Sequence, residues 1–388
     1  MPECRILWPA LLLAAAAGAG CDRQATTDAA QDSLPAGFVR QELAGHALAL
    51  PEGFHIAVYA EQLAGVRFMA LGPEGGVYAT LTRTGRVVRL TDADRDGKAE
   101  RVETVASGLH LPHGLAFRGE TLYVAETHRV IRFDRPGQPP AVVVPDLPAD
   151  GGHFTRTILF RGEELFVSVG SSCNLCEESD PRRAAVLRYR LDGSGETLFA
   201  TGLRNSVGLA LHPTTGEIWA TNNDRDNLGD DLPPDRVNLI REGGFYGWPY
   251  CYLPDRPNPE FNDPARCRSA IGPAVTLPAH TAPLGLTFYT GSMFPPDYRG
   301  DLFVALHGSW NRSVPIGYEV VRVDFAGGRP AAAPQPFVWG WLERPRSGFP
   351  GSGAGRWGRP VDLLELPDGS LLISDDEGGR IYRVTYGG

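Results

Sequence analysis

Arg204, Asn205, Arg225, Asp230 and Asp231 fall within one stretch, residues 202–248, that reads GLRNSVGLALHPTTGEIWATNNDRDNLGDDLPPDRVNLIREGGFYGW. Loops so dense in Arg, Asp and Gly are too polar for a core and too irregular for a linker. Their chemistry suits a rim that holds an anion and a cation together. Guanidinium forks match carboxylates, and carboxylate or carbonyl oxygens ligate hard cations. Arg312 in GSWNRS and Arg359 in GRPVDL lie in similar loop or strand-start contexts. Arg204, Arg225, Arg312 and Arg359 are therefore the candidates for one anion site. Taken singly, each also has the ordinary reading of a solvated surface arginine.

Two further groups have chemical spacing. His153 follows two glycines in GGHFTRTILF, just before an apolar strand, which puts its imidazole at a strand mouth. Histidine is the natural base near neutral pH, although most histidines are surface or hydrogen-bonded core groups. Residues 92–103 read DADRDGKAERVE. Asp92, Asp94, Asp96, Gly97, Glu100 and Glu103 match the alternating oxygens, turn glycine and final carboxylate of an EF-hand calcium loop. The flanks read as strands, so this is expected to be a Ca2+ loop on a hairpin with a structural role. A solvated acidic turn is the plain alternative.

The elements that must position these groups are short strands. A phrase made of a Gly or Asp turn and an apolar strand start recurs as GGVYAT at 75, GETLYVAET at 119, GEELFVSVG at 162, GEIWATNN at 216, GDLFVALHG at 300 and DGSLLISDD at 369. Many copies are followed by a second strand such as RVVRL, RVIRF, VLRYRL, EVVRV or RIYRV. These alternate apolar and polar residues and are rich in β-branched and aromatic types. Six units of about 55 residues imply an all-β, six-bladed β-propeller, in which closing the ring supplies each sheet with neighbours. HIAVYA at 55–60 is expected to complete the last blade beside the C-terminal strand. A two-sheet sandwich would explain the strands but not the repeat.

The ends and the composition set the setting. Residues 1–21 read as a signal peptide of lipoprotein type, with Gly18-Ala19-Gly20-Cys21 making Cys21 the lipidation site; simple cleavage is the alternative. Residues 22–45 read as a polar tether and 46–388 as the propeller. The chain is then exported to the periplasm, anchored through Cys21. A net charge of -9 with no basic block excludes a nucleic-acid partner. Export permits disulfides, and local pairs, Cys173 with Cys176 and Cys251 with Cys267, are the simplest arrangement. Other connectivities and a four-cysteine zinc site stay open. CNLC is followed by Glu177 rather than His, so it is not a c-type haem attachment.

From about residue 50 onward these motifs resemble the sorbosone and glucose dehydrogenase family, soluble propellers that use pyrroloquinoline quinone (PQQ). The resemblance implies oxidation of an aldose or sugar aldehyde, with an external electron acceptor. It makes His153 the general base, in the GGH segment. It makes Arg204 and Asn205 the quinone contacts, in GLRNSVG, and Arg359 a partner of the cofactor carboxylates. It gives the main-chain oxygens of Asp230 and Asp231 to the cofactor's calcium. HGSWNRS corresponds loosely to a loop where glucose dehydrogenases carry a cofactor-binding lysine. The only lysine here is Lys98, in the calcium loop, so Arg312 or His307 would have to substitute. Gly152 stands where glucose-oxidising relatives can carry an Asp. Two rival functions remain: a calcium-dependent propeller lactonase with Asn222, Asn223 and Asp224 around the metal, and a non-catalytic ligand-binding propeller.

Overall fold

Each recurrent phrase is a tight turn followed by the second strand of an antiparallel sheet. The turn glycines Gly75, Gly119, Gly162, Gly216, Gly300 and Gly369 all have φ between 57° and 86° or, at Gly300, 92°. That left-handed conformation favours glycine and explains why the turn is written the same way six times. The computed structural model describes residues 34–135, 137–343 and 355–387. The expected signal peptide, the expected lipidation site Cys21 and the expected tether up to residue 33 lie outside the described residues.

Six sheets follow one another along the chain, and the protein is a six-bladed β-propeller. The first strands of the blades are Val66–Leu71, Leu115–Arg118, Arg156–Arg161, Leu209–Leu211, Pro283–Phe288 and Pro360–Glu365. Each of these touches its two counterparts in the neighbouring blades, so together they form the inner ring. The ring closes as expected. Phe54–Ala60 pairs antiparallel with Arg380–Tyr386, with Phe54 opposite Tyr386, and becomes the outer strand of the sixth blade.

The tether reading ends earlier than expected. Phe38–Leu43 is a strand paired with His46–Pro51, and Ala49 pairs with Trp339 at the edge of the fifth blade. Polar residues do not prevent this because their side chains are used. Gln41 donates to the Phe54 carbonyl at 2.6 Å and accepts from the Ile56 amide at 3.0 Å.

Among the described residues the buried apolar side chains form six clusters, one at each junction between blades. Phe303, Val320 and Phe337 meet Ile373, Tyr382 and Val384 at one such junction, and Phe166 and Phe199 meet Ile218 and Ala220 at another. Burying one such large side chain contributes about 1.5–3 kcal/mol. Hydroxyls near the axis add a second kind of junction. Thr80 donates to His113 O at 2.8 Å, Thr221 to Leu284 O at 2.7 Å and Ser374 to Arg67 O at 2.5 Å, each time from a second strand to the first strand region of the next blade.

Both local cysteine pairs are disulfides. Cα–Cα distances are 6.2 Å for Cys173–Cys176 and 5.5 Å for Cys251–Cys267, inside the usual range. This removes the four-cysteine zinc site. No helix among the described residues is long and apolar enough to cross a membrane.

Candidate active site

At the end of the ring where the first strands begin and the second strands finish, loops enclose a cavity of about 370 Å³. Its wall includes His153, Arg204, Asn205, His307 and Arg359 from the sequence reading, together with Arg67.

His153 is oriented by Ser171. Its Nδ1 lies 2.8 Å from the Ser171 carbonyl oxygen and 3.0 Å from Ser171 Oγ. A carbonyl only accepts, so Nδ1 carries the hydrogen and Nε2 keeps its lone pair. Burial, reinforced by the Arg204 charge, lowers the imidazole to about 4. The ring is neutral at neutral pH, as a general base must be.

Arg204 is only 5% exposed. Its Nε donates to Asn174 O at 3.0 Å, Nη1 to Asp224 O at 2.7 Å and Asn223 O at 3.3 Å, and Nη2 to Asn174 Oδ1 at 2.9 Å and Asp226 Oδ2 at 3.1 Å. All its hydrogens are spent on the protein, so it serves the cavity through its charge. Asn205 is buried beside it, and its Oδ1 has no protein partner. Arg359 donates to the carbonyls of His307 at 2.9 Å and Gly308 at 2.8 Å through Nε and Nη2, which leaves Nη1 for a ligand.

Arg67 was missed by the sequence reading, although a lone charge in the strand VRFMAL is a signal. It is 8% exposed, its Nη1 donates to Asp376 Oδ2 at 2.6 Å, and its buried Nε has no partner. The other Asp376 oxygen accepts from His307 Nε2 at 2.8 Å. Burial alone would raise the Asp376 carboxyl, but His307, Arg67 and Arg359 hold it below the usual carboxylate range. Burial lowers His307 to about 4 despite Asp376, so this contact is a neutral imidazole donating to a carboxylate.

Several expected site residues lie elsewhere. Arg225 does not line the cavity. The loop between Cys251 and Cys267 delivers Glu260, whose two oxygens take Arg225 Nη1 and Nη2 at 2.6 and 2.8 Å. Arg312 also faces away. Its Nη1 donates to the main-chain oxygen of Asp230 and its Nη2 to Asp231 Oδ1 at 3.0 Å. Asp230 and Asp231 are outside the cavity wall, and a guanidinium occupies the Asp230 main-chain oxygen, one of the two expected to bind metal. Of the two substitutes for the missing lysine, His307 reaches the cavity and Arg312 does not. The Asp224 carboxylate, needed by the lactonase reading, is taken by Arg236 and by the Arg225 amide.

In the acidic loop, Asp92, Asp94, Asp96 and Glu100 bring ligand oxygens within 4.8 Å of one another. Glu103 does not join them. It lies in the strand Arg101–Ala106 directly opposite Arg89 and within 4.0 Å of it. A helix after the loop would carry the twelfth residue back to the ion, and an extended strand carries it away.

The TrAA12-like family matches residues 48–255 and 253–387. The chain belongs to the TrAA12-like family. Among curated relatives, an uncharacterised protein of Borreliella burgdorferi is 40% identical over 57% of this chain and 56% of its own length. A pyrroloquinoline quinone-dependent pyranose dehydrogenase of Coprinopsis cinerea is 31% identical over 47% of this chain and 30% of its own length. The chain thus spans about half or less of the curated relatives it matches. Among solved structures, a calcium structure of a Trichoderma reesei protein of Carbohydrate-Active Enzymes Family AA12 has a TM-score of 0.77 at 24% identity, covering 89% of this chain and 98% of that one. That similarity is one of fold.

Proposed function

We propose that this chain is a PQQ-dependent oxidoreductase that oxidises an aldose or sugar aldehyde, with His153 as general base. The observation that carries the reading is a neutral imidazole with a free Nε2 in a cavity ringed by Arg67, Arg204 and Arg359. The residues fit a polyanionic quinone. Arg67 Nε is a buried donor without a partner, and Arg359 Nη1 is unspent. The relative from Coprinopsis cinerea is named for the same cofactor. When bound, PQQ supplies a two-electron hydride acceptor. His153 Nε2 takes the proton of the substrate hydroxyl as the C–H bond breaks. Arg204 supplies fixed positive charge in the cavity, and Arg67 and Arg359 would hold the cofactor's carboxylates.

Calcium belongs to this reading at the Asp92, Asp94, Asp96 and Glu100 loop, as a structural ion. Asp92 Oδ1 is buried there without a partner, which suits a cation. The electrons leave to an external acceptor. The polypeptide is exported, processed before Cys21 and held at the membrane by a lipid on that residue.

The test is reconstitution. Protein from residue 22 onward is given Ca2+ and PQQ, and reduction of an artificial dye is followed with a panel of aldoses and aldehydes. Cofactor-dependent dye reduction is the predicted result. Absence of PQQ binding by absorbance and thermal shift overturns the reading.

A further inference from the structure

The segment Gly170–Cys176 threads between His153 and Arg204 and touches both. Gly170 packs so closely that a Cβ there would lie 2.6 Å from both the His153 Cβ and Asn205 Oδ1. The next residue, Ser171, accepts His153 Nδ1 on its carbonyl and donates its own amide to the Arg204 carbonyl at 2.7 Å. Ser172 O accepts the Gly152 amide at 2.7 Å, which ties down the glycine before the base. Then comes Asn174, inside the Cys173–Cys176 turn.

Asn174 is bonded through every polar side-chain atom and its carbonyl. Its carbonyl accepts from Arg204 Nε at 3.0 Å and from Trp248 Nε1 at 3.2 Å. Its Oδ1 accepts from Arg204 Nη2 at 2.9 Å and from the Asp226 amide at 2.8 Å. Its Nδ2 donates to Asp226 O at 3.3 Å. Two of the three guanidinium nitrogens of Arg204 therefore rest on one asparagine. That asparagine has its carbonyl and its side chain turned to the same side, within a turn that the Cys173–Cys176 disulfide closes.

We propose that Asn174, held by the Cys173–Cys176 disulfide, is a positioning residue that fixes the Arg204 guanidinium beside His153. The inference rests on the proposed roles of His153 and Arg204. Asn174 faces Arg204 and Asp226 and does not line the cavity, so it acts on substrate only through Arg204. The charged groups that act on His153 are Arg204, Arg156 and Arg183. Arg204 is the one Asn174 holds.

The test uses three variants of the protein from residue 22 onward: Asn174→Ala, Asn174→Asp and the double Cys173→Ser/Cys176→Ser. Asn174→Asp keeps the acceptor for Arg204. The double variant opens this disulfide and leaves Cys251–Cys267 intact. The first readout needs no cofactor: the titration of His153 by NMR on histidine-labelled apo-protein, with His153→Gln assigning the signal. Release of Arg204 moves the His153 midpoint up from about 4 in Asn174→Ala and in the double variant. The second readout is kcat against KM in the PQQ-loaded protein. Misplacement of a catalytic group by about 1 Å costs on the order of 100-fold, so kcat is expected to fall ~10- to 100-fold with KM little changed, and Asn174→Asp to restore most of it.

An unchanged His153 midpoint and unchanged kcat in both Asn174→Ala and the double variant overturn the proposal. So does a loss of kcat that Asn174→Asp does not restore. If Asn174→Ala fails to unfold cooperatively, the double variant and Asn174→Asp decide on the same two criteria. If the unmodified protein binds no PQQ and oxidises no sugar while the His153 midpoint still moves, the functional reading falls and the positioning role stands.

Discussion

Asp376 binds Arg67 Nη1 through one carboxylate oxygen at 2.6 Å and His307 Nε2 through the other at 2.8 Å. One buried anion thus joins the first strand of blade one to the fifth blade across the wall of the cavity. Arg67 and His307 are far apart in sequence, and Asp376 directly follows Leu371–Asp375, the second strand of the last blade. Ring closure brings the three together.

Removing that anion is predicted to be costly. Asp376→Asn leaves the Arg67 guanidinium buried without a counter-charge, and breaking a buried pair from one side costs about 3–5 kcal/mol. Urea unfolding should show a lower midpoint with an unchanged slope. An unaltered midpoint would contradict the role given to the pair.

His153→Ala is predicted to reduce dye-coupled turnover at least ~100-fold, the scale of a lost general base. Thermal unfolding should remain cooperative. Near-normal turnover would remove His153 from its role.

The two lowered histidines give a pH dependence of stability. Burial lowers His153 and His307 to about 4 in the folded chain, against the ordinary 6.5 of an imidazole. Between these values the unfolded chain binds protons that the two folded imidazoles refuse, so their contribution to stability is full above about 6.5 and falls as pH drops toward 4. The raised carboxyls of Asp235, Glu319, Asp362 and Asp375 act with the opposite sign in that window, so the check is a difference: from pH 7.5 to 4.5 the melting temperature of His307→Gln should fall less, or rise more, than that of the unmodified protein. In activity, the acid limb set by His153 should lie near pH 4 rather than near 6.5.

Calcium removal separates Glu103 from the rest of its loop. Chelation should lower the melting temperature, and Asp92→Asn or Asp96→Asn should abolish the Ca2+-dependent rise. Glu103→Gln should leave the rise intact, because Glu103 faces Arg89 and Arg101. Thermal shift with added Ca2+ checks all four proteins.

The hydroxyl junctions make a quieter prediction. Thr221 Oγ1 donates to Leu284 O at 2.7 Å and accepts the Gly208 amide at 2.8 Å, fully buried. Thr221→Val keeps the shape and strands both backbone groups, at about 1–3 kcal/mol. Denaturant unfolding should show this, while Thr214→Val at an exposed turn should not.

Local chemistry was readable in advance wherever neighbouring residues decide it. Turn glycines at left-handed φ, alternating strands and their sixfold repeat pointed to the propeller. HIAVYA was recognisable as the closing strand, because an alternating segment before the first full repeat has an unpaired last blade to join. Both disulfides also followed from short-range pattern, as did the place of His153 on the cavity wall. What folding decided is which charges meet. Arg204, Arg225, Arg312 and Arg359 look alike in sequence, each in a polar loop. A guanidinium takes whichever carboxylate or carbonyl the fold delivers. Glu260 captures Arg225, the Asp230 carbonyl and Asp231 capture Arg312, and Arg67 emerges from an apolar strand onto the cavity through a partner more than three hundred residues away. Glu103 matched the calcium spacing but strand geometry parts it from the other carboxylates, since period-two backbone turns each side chain by the sheet's register rather than by the loop's grammar.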